Sequence, residues 1–213
     1  MVETVNTPVR KTRREIAAEA TQALIVETAD RLFMERGYVA TTIESIAEEA
    51  GVAVQTIYNS VGSKADVLSR VLDRTASGPE APTPVPDFMR DRTDRARDAD
   101  EVVALLADWF AEVQPRVAPL WDVIAAASAV DPDVAQLRRE RDARRLRNYE
   151  LAARLLAAKR GASPTLSVHE AAAMIWTLGH PSTYRFLVTE QGWSVARYRR
   201  WLRRGLRSQL VGA

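Results

Sequence analysis

Apolar residues recur at helical spacing along almost the whole chain. In the stretch 15–36 they lie three and four positions apart, which predicts a first amphipathic helix with one buried face. The residues on that face are Ile25, Ala29, Leu32 and Phe33. Gly37 follows, and because glycine readily adopts the left-handed conformation that commonly ends a helix, we expect the helix to end there.

Two short helices are predicted next, separated by Gly51. The first is capped by either Thr41 or Thr42, since Thr41 has Glu44 three positions later as in a capping box. Its inner face consists of Ile43, Ile46, Ala47 and Ala50. The segment "AVQTIYNS" (53–60) predicts a second short helix, which buries Ile57 and leaves its polar residues facing away from the core.

A fourth helix is predicted to begin at Ser63, where Asp66 completes a Ser-x-x-Asp cap. Four prolines in "ASGPEAPTPVPD" (76–87) then interrupt the periodicity, so we place a flexible connection over residues 76–97. Further helices are expected at 98–114, 117–130, 133–159, 167–179, 182–190 and 194–211, with breaks at prolines and glycines that include Pro115 and Pro119.

The pattern predicts an all-α protein with two helical domains. Residues 1–14, which end in "RKTRR", are expected to form a flexible basic arm, and residues 15–75 a three-helix domain with a helix-turn-helix. A larger helical domain is expected over residues 98–213. The composition agrees, since Ala, Leu, Arg and Glu are abundant and 46% of the residues are hydrophobic.

Composition also limits the chemistry. The chain has no cysteine, which excludes a disulfide framework, a thiolate zinc site and a catalytic cysteine. We expect no metal, no cofactor and no catalytic site. The apolar run "PLWDVIAAASAV" is too short to cross a membrane and contains Asp122, and no signal peptide is evident, so we expect a protein of the bacterial cytoplasm.

The helix-turn-helix suggests the function. The second helix of this motif can enter a DNA major groove, where small and polar side chains meet base edges. The net charge of +2 is weak evidence for DNA, but "AVQTIYNS" has the required character. Its candidate base-reading residues are Val54, Gln55, Thr56 and Asn59.

Other residues are suited to phosphates, which set the position of a protein on the duplex. Thr42 stands at a helix start, Tyr58 offers a hydroxyl, and Lys64 lies at the start of the fourth helix. In the arm, the candidates for contacts with the backbone or the minor groove are Arg10, Lys11, Arg13 and Arg14.

Residues 24–68, "LIVETADRLFMERGYVATTIESIAEEAGVAVQTIYNSVGSKADVL", resemble the DNA-binding domain of the tetracycline-repressor (TetR) family of bacterial transcriptional regulators. The similarity includes "ERGY", "TTIESIAEEAGV", and Tyr58 and Lys64 at the spacing typical of the family. The sequence departs at Val61, where the family usually has phenylalanine, and at Gly62, where proline is common. The second half resembles the family more loosely, chiefly in "AAAMIWTLGHPSTYRFLVTEQGWSVARYRRWL".

The resemblance implies a repressor that binds a palindromic double-stranded DNA operator as a homodimer. It also implies a second domain for dimerisation and for a small hydrophobic or amphipathic effector, which releases the protein from DNA. Independent physics favours the dimer, because one short recognition helix reads few base pairs and two copies supply the missing affinity and specificity.

Aromatic residues of the second half are candidates for the effector site, since ligand sites form between helices of bundles. They are Trp109, Phe110, Trp121, Tyr149 and Trp176, together with His180 beside a predicted helix break. Ordinary core packing is the alternative for each of them.

Two arginine-rich runs, 138–147 and 197–207, are interpreted as solvated helix faces rather than as a second nucleic-acid site, because the first also carries acids at pairing distance. The last helix has an apolar stripe at Val195, Tyr198, Leu202, Leu206 and Leu210. This stripe serves either the monomer core alone or a dimer partner as well, and the family resemblance favours the dimer.

Two other functions remain open from the sequence. The larger domain can hold an enzyme site, although no nucleophile signature, metal cluster or phosphate loop supports one. Alternatively, the protein binds DNA without a small-molecule effector and is controlled by a protein partner or by its abundance.

Overall fold

A computed structural model of the chain describes residues 12–78 and 85–212, and all regular elements within these ranges are helical. In the first part the helices are α1 (Arg13–Ala40), α2 (Ile43–Ala50), α3 (Val54–Ser60) and α4 (Lys64–Ser77). Then come α5 (Val85–Arg95), α6 (Ala99–Ala127), α7 (Pro132–Ala157), α8 (Val168–Leu178), α9 (Pro181–Tyr184), a π-helical segment (Arg185–Glu190) and α10 (Val195–Leu210). The predicted all-α fold is confirmed.

The chain divides into two compact units, one ending at Val71 and the other beginning at Leu72. The division falls inside α4, so this single helix contributes residues to both units. We call them the first unit and the second unit.

The first unit is built around a small apolar core from α1, α2 and α3. Residues with no exposed surface in this core include Ile25, Leu32, Phe33, Ile46 and Ile57. These are the inward positions that the helical periodicity predicts. Gly37 interrupts α1 with a φ of 76°, as expected for the end of its regular part, and Gly51 ends α2 in the left-handed conformation.

Side-chain caps determine where α1 and α2 begin in the first unit. Thr42 caps α2, while Thr41 is buried and its hydroxyl donates to the carbonyl oxygen of Gly37 at 2.8 Å. At the start of α1, Thr12 and Glu15 form a capping box. Arg13 and Arg14 are therefore helical, which corrects their assignment to a flexible arm. The rest of that predicted arm, residues 1–11, lies outside the described residues.

The second unit packs α6 against α10 and α7 against α8. Four residues of the predicted apolar stripe on α10, Tyr198, Leu202, Leu206 and Leu210, are at most 1% exposed within a single protomer. Only Val195, at 37%, presents a substantial surface. The stripe therefore belongs to the monomer core, and its interpretation as a dimer surface is wrong for those four residues.

Helix α6 runs without a break through Pro115 and Pro119, although the sequence predicted helix ends there. Both prolines are exposed and lie four positions apart, so the carbonyl groups that lose a hydrogen bond lie on the solvent side. The opposite side of the helix is held by buried side chains such as Val117 and Trp121. Packing of that side outweighs the local cost of the prolines.

Helix α5 occupies much of the predicted flexible connection. It begins at Val85, one residue before the last proline of the run, with Asp87 in its first turn and Arg95 in its last, which suits the helix dipole. Thr93 is 2% exposed, and Lys159 donates to the carbonyl oxygen of Asp94 at 2.8 Å. Tertiary contacts therefore order residues that sequence composition assigned to a linker.

Candidate DNA-binding site and ligand cavity

Helix α3 presents a mostly polar surface. Ile57 is its one buried residue, whereas Gln55, Tyr58 and Asn59 are exposed and Val54 and Thr56 are partly exposed. The predicted base-reading residues therefore lie on the accessible side of the helix. No charged side chain interrupts this surface, which matches the requirement for reading base edges.

The core and one hydrogen bond from α1 fix α3 in place. Ile57 anchors it from below, and Gln22 of α1 donates from Nε2 to the carbonyl oxygen of Ser60 at 2.8 Å. The hydroxyl of Ser60 in turn donates to the carbonyl oxygen of Thr56. These contacts hold the backbone of α3 rigidly, so its outward side chains are the part of this surface that can vary.

An ion-pair network joins α1 to α2 beside this motif. Arg31 and Arg36 of α1 both bind the carboxylate of Glu49 on α2, Arg36 at 2.7 Å. The hydrogen bond from Arg31 holds the pKa of Glu49 below its usual value. Because the network is solvent-exposed, we assign it a role in orienting the two helices and only a small share of the stability.

The predicted phosphate-binding residues have different surroundings. Thr42 is exposed but its hydroxyl accepts from the N–H of Ser45 at 3.1 Å as the cap of α2, and Tyr58 is 49% exposed. Lys64 is more constrained. Its ammonium donates to the carbonyl oxygens of Tyr38 and Thr41 at 2.9 and 2.8 Å, and it lies 4.0 Å from the centre of the Tyr38 ring.

The turn before α4 requires glycine. Gly62 has a φ of 119°, and a Cβ atom there would lie 2.5 Å from Oδ2 of Asp66. That oxygen accepts from both the N–H and the hydroxyl of Ser63 in the cap of α4. Proline, which fixes φ near −65°, does not fit this turn, so the residue that is common at this position in the family cannot replace Gly62 here.

The second unit contains a cavity of about 630 Å³. Its apolar walls come mainly from α6 and α7 and include the flat aromatic side chains of Trp109 and Phe110. Tyr149 also lines it, in edge contact with Phe110 at 5.9 Å between ring centres. Three of the six residues predicted for a ligand site therefore share one cavity.

The other three predicted residues, Trp121, Trp176 and His180, lie outside the cavity walls. They form an aromatic cluster in which His180 contacts Trp121 and Trp176 at 5.5 and 5.7 Å between ring centres. Trp121 is 2% exposed. Mutual packing accounts for the positions of these three side chains, and a ligand contact for them stays a prediction.

Burial explains the chemistry of His180. Desolvation, reinforced by the positive charges of Arg145 and Arg138, lowers the pKa of His180 from 6.5 to about 4. The neutral ring accepts a hydrogen bond at Nδ1 from the N–H of Ser182 at 3.1 Å and so caps α9.

Polar residues of the cavity were missed by the sequence analysis. Arg141 makes an ion pair with Asp73 through both terminal nitrogens, and Arg144 joins it at 3.2 Å. Arg145 also lines the cavity. The run 138–147 is therefore only partly a solvated face, because Arg141 has just 12% of its side chain exposed. Their spacing of three and four along α7 was the available signal.

Within the described ranges, no cluster of histidine and carboxylate side chains suited to a metal ion is found. Among the described helices, none has the length and apolar character needed to span a bilayer.

The fold and the exposed short helix define a helix-turn-helix protein with a separate helical domain. Residues 25–71 match the family described as bacterial regulatory proteins, tetR family. The similarity to this family is therefore established for residues 25–71, which include the helix-turn-helix.

Comparisons of sequence and of structure with known proteins support this similarity. The chain is 43% identical over 65 residues to the HTH-type transcriptional regulator TtgR of Pseudomonas putida, an alignment that spans 30% of each protein. The crystal structure of NalD, a repressor of the MexAB-OprM efflux pump in Pseudomonas aeruginosa, has a TM-score of 0.72 at 16% identity and covers 92% of this chain and 98% of NalD. A Saccharomonospora viridis protein in complex with choline has a TM-score of 0.64 at 23% identity, covering 92% of this chain and 100% of that one. These two structures show the shared fold.

Proposed function

We propose that this protein is a transcriptional repressor that binds a palindromic DNA operator as a homodimer and is released by a small-molecule effector. The observation that carries the proposal is the exposed, uncharged polar surface of α3, held by Ile57 in a helix-turn-helix. The match of residues 25–71 to this family supports DNA binding, and proteins of this family are non-enzymatic transcription factors.

In this proposal, Gln55 and Thr56 read base edges, with Val54 and Asn59 beside them. Glutamine matches the donor and acceptor pattern of adenine, and the threonine and valine methyl groups suit the thymine methyl. Thr42 and Tyr58 contact phosphates, which position the helix without carrying sequence information. Lys64 acts mainly by tying the start of α4 to the carbonyl groups of Tyr38 and Thr41.

The homodimer follows from the size of the reading element. Helix α3 has seven residues, so one copy contacts few base pairs. Two copies related by two-fold symmetry read two half-sites about one helical turn apart, which multiplies both affinity and specificity.

The cavity of the second unit is the proposed effector site. The choline complex of the Saccharomonospora viridis protein supports the idea that this fold accommodates small molecules. Helix α4 supplies the proposed coupling, because Lys64 lies at its start and Leu72, Asp73 and Ala76 near its end line the cavity. A ligand that shifts the end of α4 would change how the two recognition helices of the dimer are held.

The proposal is tested by incubating the purified protein with sheared bacterial genomic DNA and sequencing the retained fragments. We expect the fragments to share a motif of two inverted half-sites. We also expect the molecular mass of the protein in solution to equal that of two chains. Retained DNA fragments without a shared motif would overturn the proposal, and so would a single protein chain bound to the enriched DNA.

A further inference from the structure

The cavity of the second unit has walls of two kinds. One side is apolar and aromatic, with Leu106, Trp109 and Phe110 among its residues. These side chains offer a large apolar surface with few polar atoms, which suits the hydrocarbon or aromatic body of a ligand. A body of this kind gains affinity by leaving water, whatever its head group.

The other side of the cavity is positively charged. The wall residues include Arg90, Arg141, Arg144 and Arg145, but Asp73 is the only acidic residue among them. Arg90 pairs with Asp87 at 2.7 Å, and Asp73 is shared by Arg141 and Arg144. The excess of positive charge in this wall therefore centres on Arg145.

Arg145 forms no ion pair and no hydrogen bond with any of the residues that the structure describes, and its Nη1 is buried without a partner. Its guanidinium instead stacks on Trp121 and Trp176, 4.8 and 5.6 Å from the ring centres. Asp142 on the same helix is ion-paired at 4.0 Å to Arg138, and the positive charge of Arg145 also acts on its carboxylate without a direct ion pair. The stack holds the head group in one orientation, and its N–H donors are not used by any of the described residues.

We propose that the cavity binds an amphipathic organic anion, with its carboxylate or comparable acidic group at Arg145 and its apolar body against Trp109 and Phe110. A planar guanidinium with free donors is matched by the two oxygens of a carboxylate. This inference rests on the proposed function only for the ligand's role as effector. The chemical class of the ligand follows from the cavity itself.

The competing explanation is that Arg145 has a purely structural role and only packs between two tryptophan rings. It predicts that substitution of Arg145 weakens every ligand of the cavity equally through loss of packing. Direct anion binding predicts a loss confined to charged ligands, so a pair of probes that differ in charge separates the two roles.

The experiment uses the full chain and two fluorescent probes with the same aromatic skeleton, the anionic anilinonaphthalene sulfonate and the neutral phenylnaphthylamine. We expect the wild type to bind the anion more tightly. In Arg145→Met, the dissociation constant of the anion should rise about tenfold, as for one lost charge-assisted contact, while that of the neutral probe changes by less than about twofold. Arg145→Lys, which keeps the charge, should retain part of the preference.

Arg147→Met is the matched control, because Arg147 is an exposed arginine of the same helix outside the cavity wall. It should bind both probes as the wild type does. A second variant, Arg144→Met, should weaken the anion alone and to a smaller degree, since Arg144 shares Asp73. Thermal unfolding of each variant identifies any that fail to fold, and Arg144→Met then carries the test if Arg145→Met is one of them.

Competition with dodecanoate and with dodecanol places the probes in the cavity, and the acid should displace the anionic probe at lower concentration than the alcohol. Equal loss of both probes in Arg145→Met, or preference of the wild type for the neutral probe, would overturn the proposed ligand class. Release of bound DNA is measured separately. If dodecanoate binds through Arg145 yet DNA stays bound, the ligand class stands and the effector role in the proposed function fails.

Discussion

Gln55 donates from Nε2 to Oδ1 of Asn59 at 2.9 Å, one helical turn further along α3. The two amides of the proposed reading surface thus satisfy each other in part, which keeps both side chains ordered while the helix is free of DNA. Their remaining donors and acceptors stay exposed to solvent. Pairing of this kind reduces the entropy lost on contact with a base pair.

Replacing one of these amides should change sequence preference. For Gln55→Ala we expect about 1–3 kcal/mol less discrimination at one base pair of each half-site, with little change on unrelated DNA. Titrations on operators with single substitutions measure it. Gln22→Ala, which removes the bond to Ser60 behind α3, should weaken all operators alike, and base-specific loss in that control would contradict the assignment.

Lys64 should contribute to the stability of the first unit. Lys64→Met removes two charge-assisted hydrogen bonds to the carbonyl oxygens of Tyr38 and Thr41, at an expected cost of about 1–3 kcal/mol in the free energy of unfolding. Urea denaturation measures the loss. Arg70→Met, an exposed position on the same helix, should change stability by less than about 0.5 kcal/mol, and equal effects of both substitutions would contradict the account.

The turn at Gly62 should reject larger residues. Gly62→Ala forces an L residue to a φ of 119° and crowds the carboxylate of Asp66, so we expect a loss of about 1–2 kcal/mol in unfolding free energy. Gly62→Pro should cost more, since its ring cannot adopt this φ. Thermal unfolding of both variants checks the order, and a proline variant as stable as the wild type would show that the turn is formed differently.

His180 should make stability depend on pH. Its pKa is about 4 in the folded protein and 6.5 when unfolded, so the unfolded state takes up a proton first as the pH falls. The contribution is full above about pH 6.5 and is lost towards pH 4, and because solvent screens the partly buried ring it amounts to at most about 2 kcal/mol between about pH 7 and pH 5.

The control is His180→Asn, which keeps a capping acceptor for the N–H of Ser182 but does not titrate. Its unfolding free energy should be nearly flat over that pH range. A variant with the same pH dependence as the wild type would mean that other groups cause the loss.

Much of the fold was predictable because helical periodicity and caps are local signals. Ile57 faces the core, Gly37 and Gly51 end their helices, and the exposed side of α3 is the side that the pattern leaves polar. The family resemblance over residues 24–68 rests on this same local region.

The predictions from sequence were wrong where contacts between residues far apart along the chain determine the structure. Pro115 and Pro119 remain helical because the far side of α6 is buried, and α5 is ordered by contacts with the rest of its unit. The cavity shows the same limit. Sequence identifies aromatic residues, but whether Trp109 lines a cavity or Trp121 packs in a cluster depends on neighbours far along the chain.

The central claim is that α3 reads DNA sequence. The most direct measurement selects binding sites from a random DNA pool with the wild type and with Gln55→Ala side by side, and compares the enriched motifs. The account predicts an inverted repeat for the wild type, and for the variant the same repeat with relaxed preference at one symmetric pair of positions. Identical motifs from both proteins, or no motif from the wild type, would contradict it.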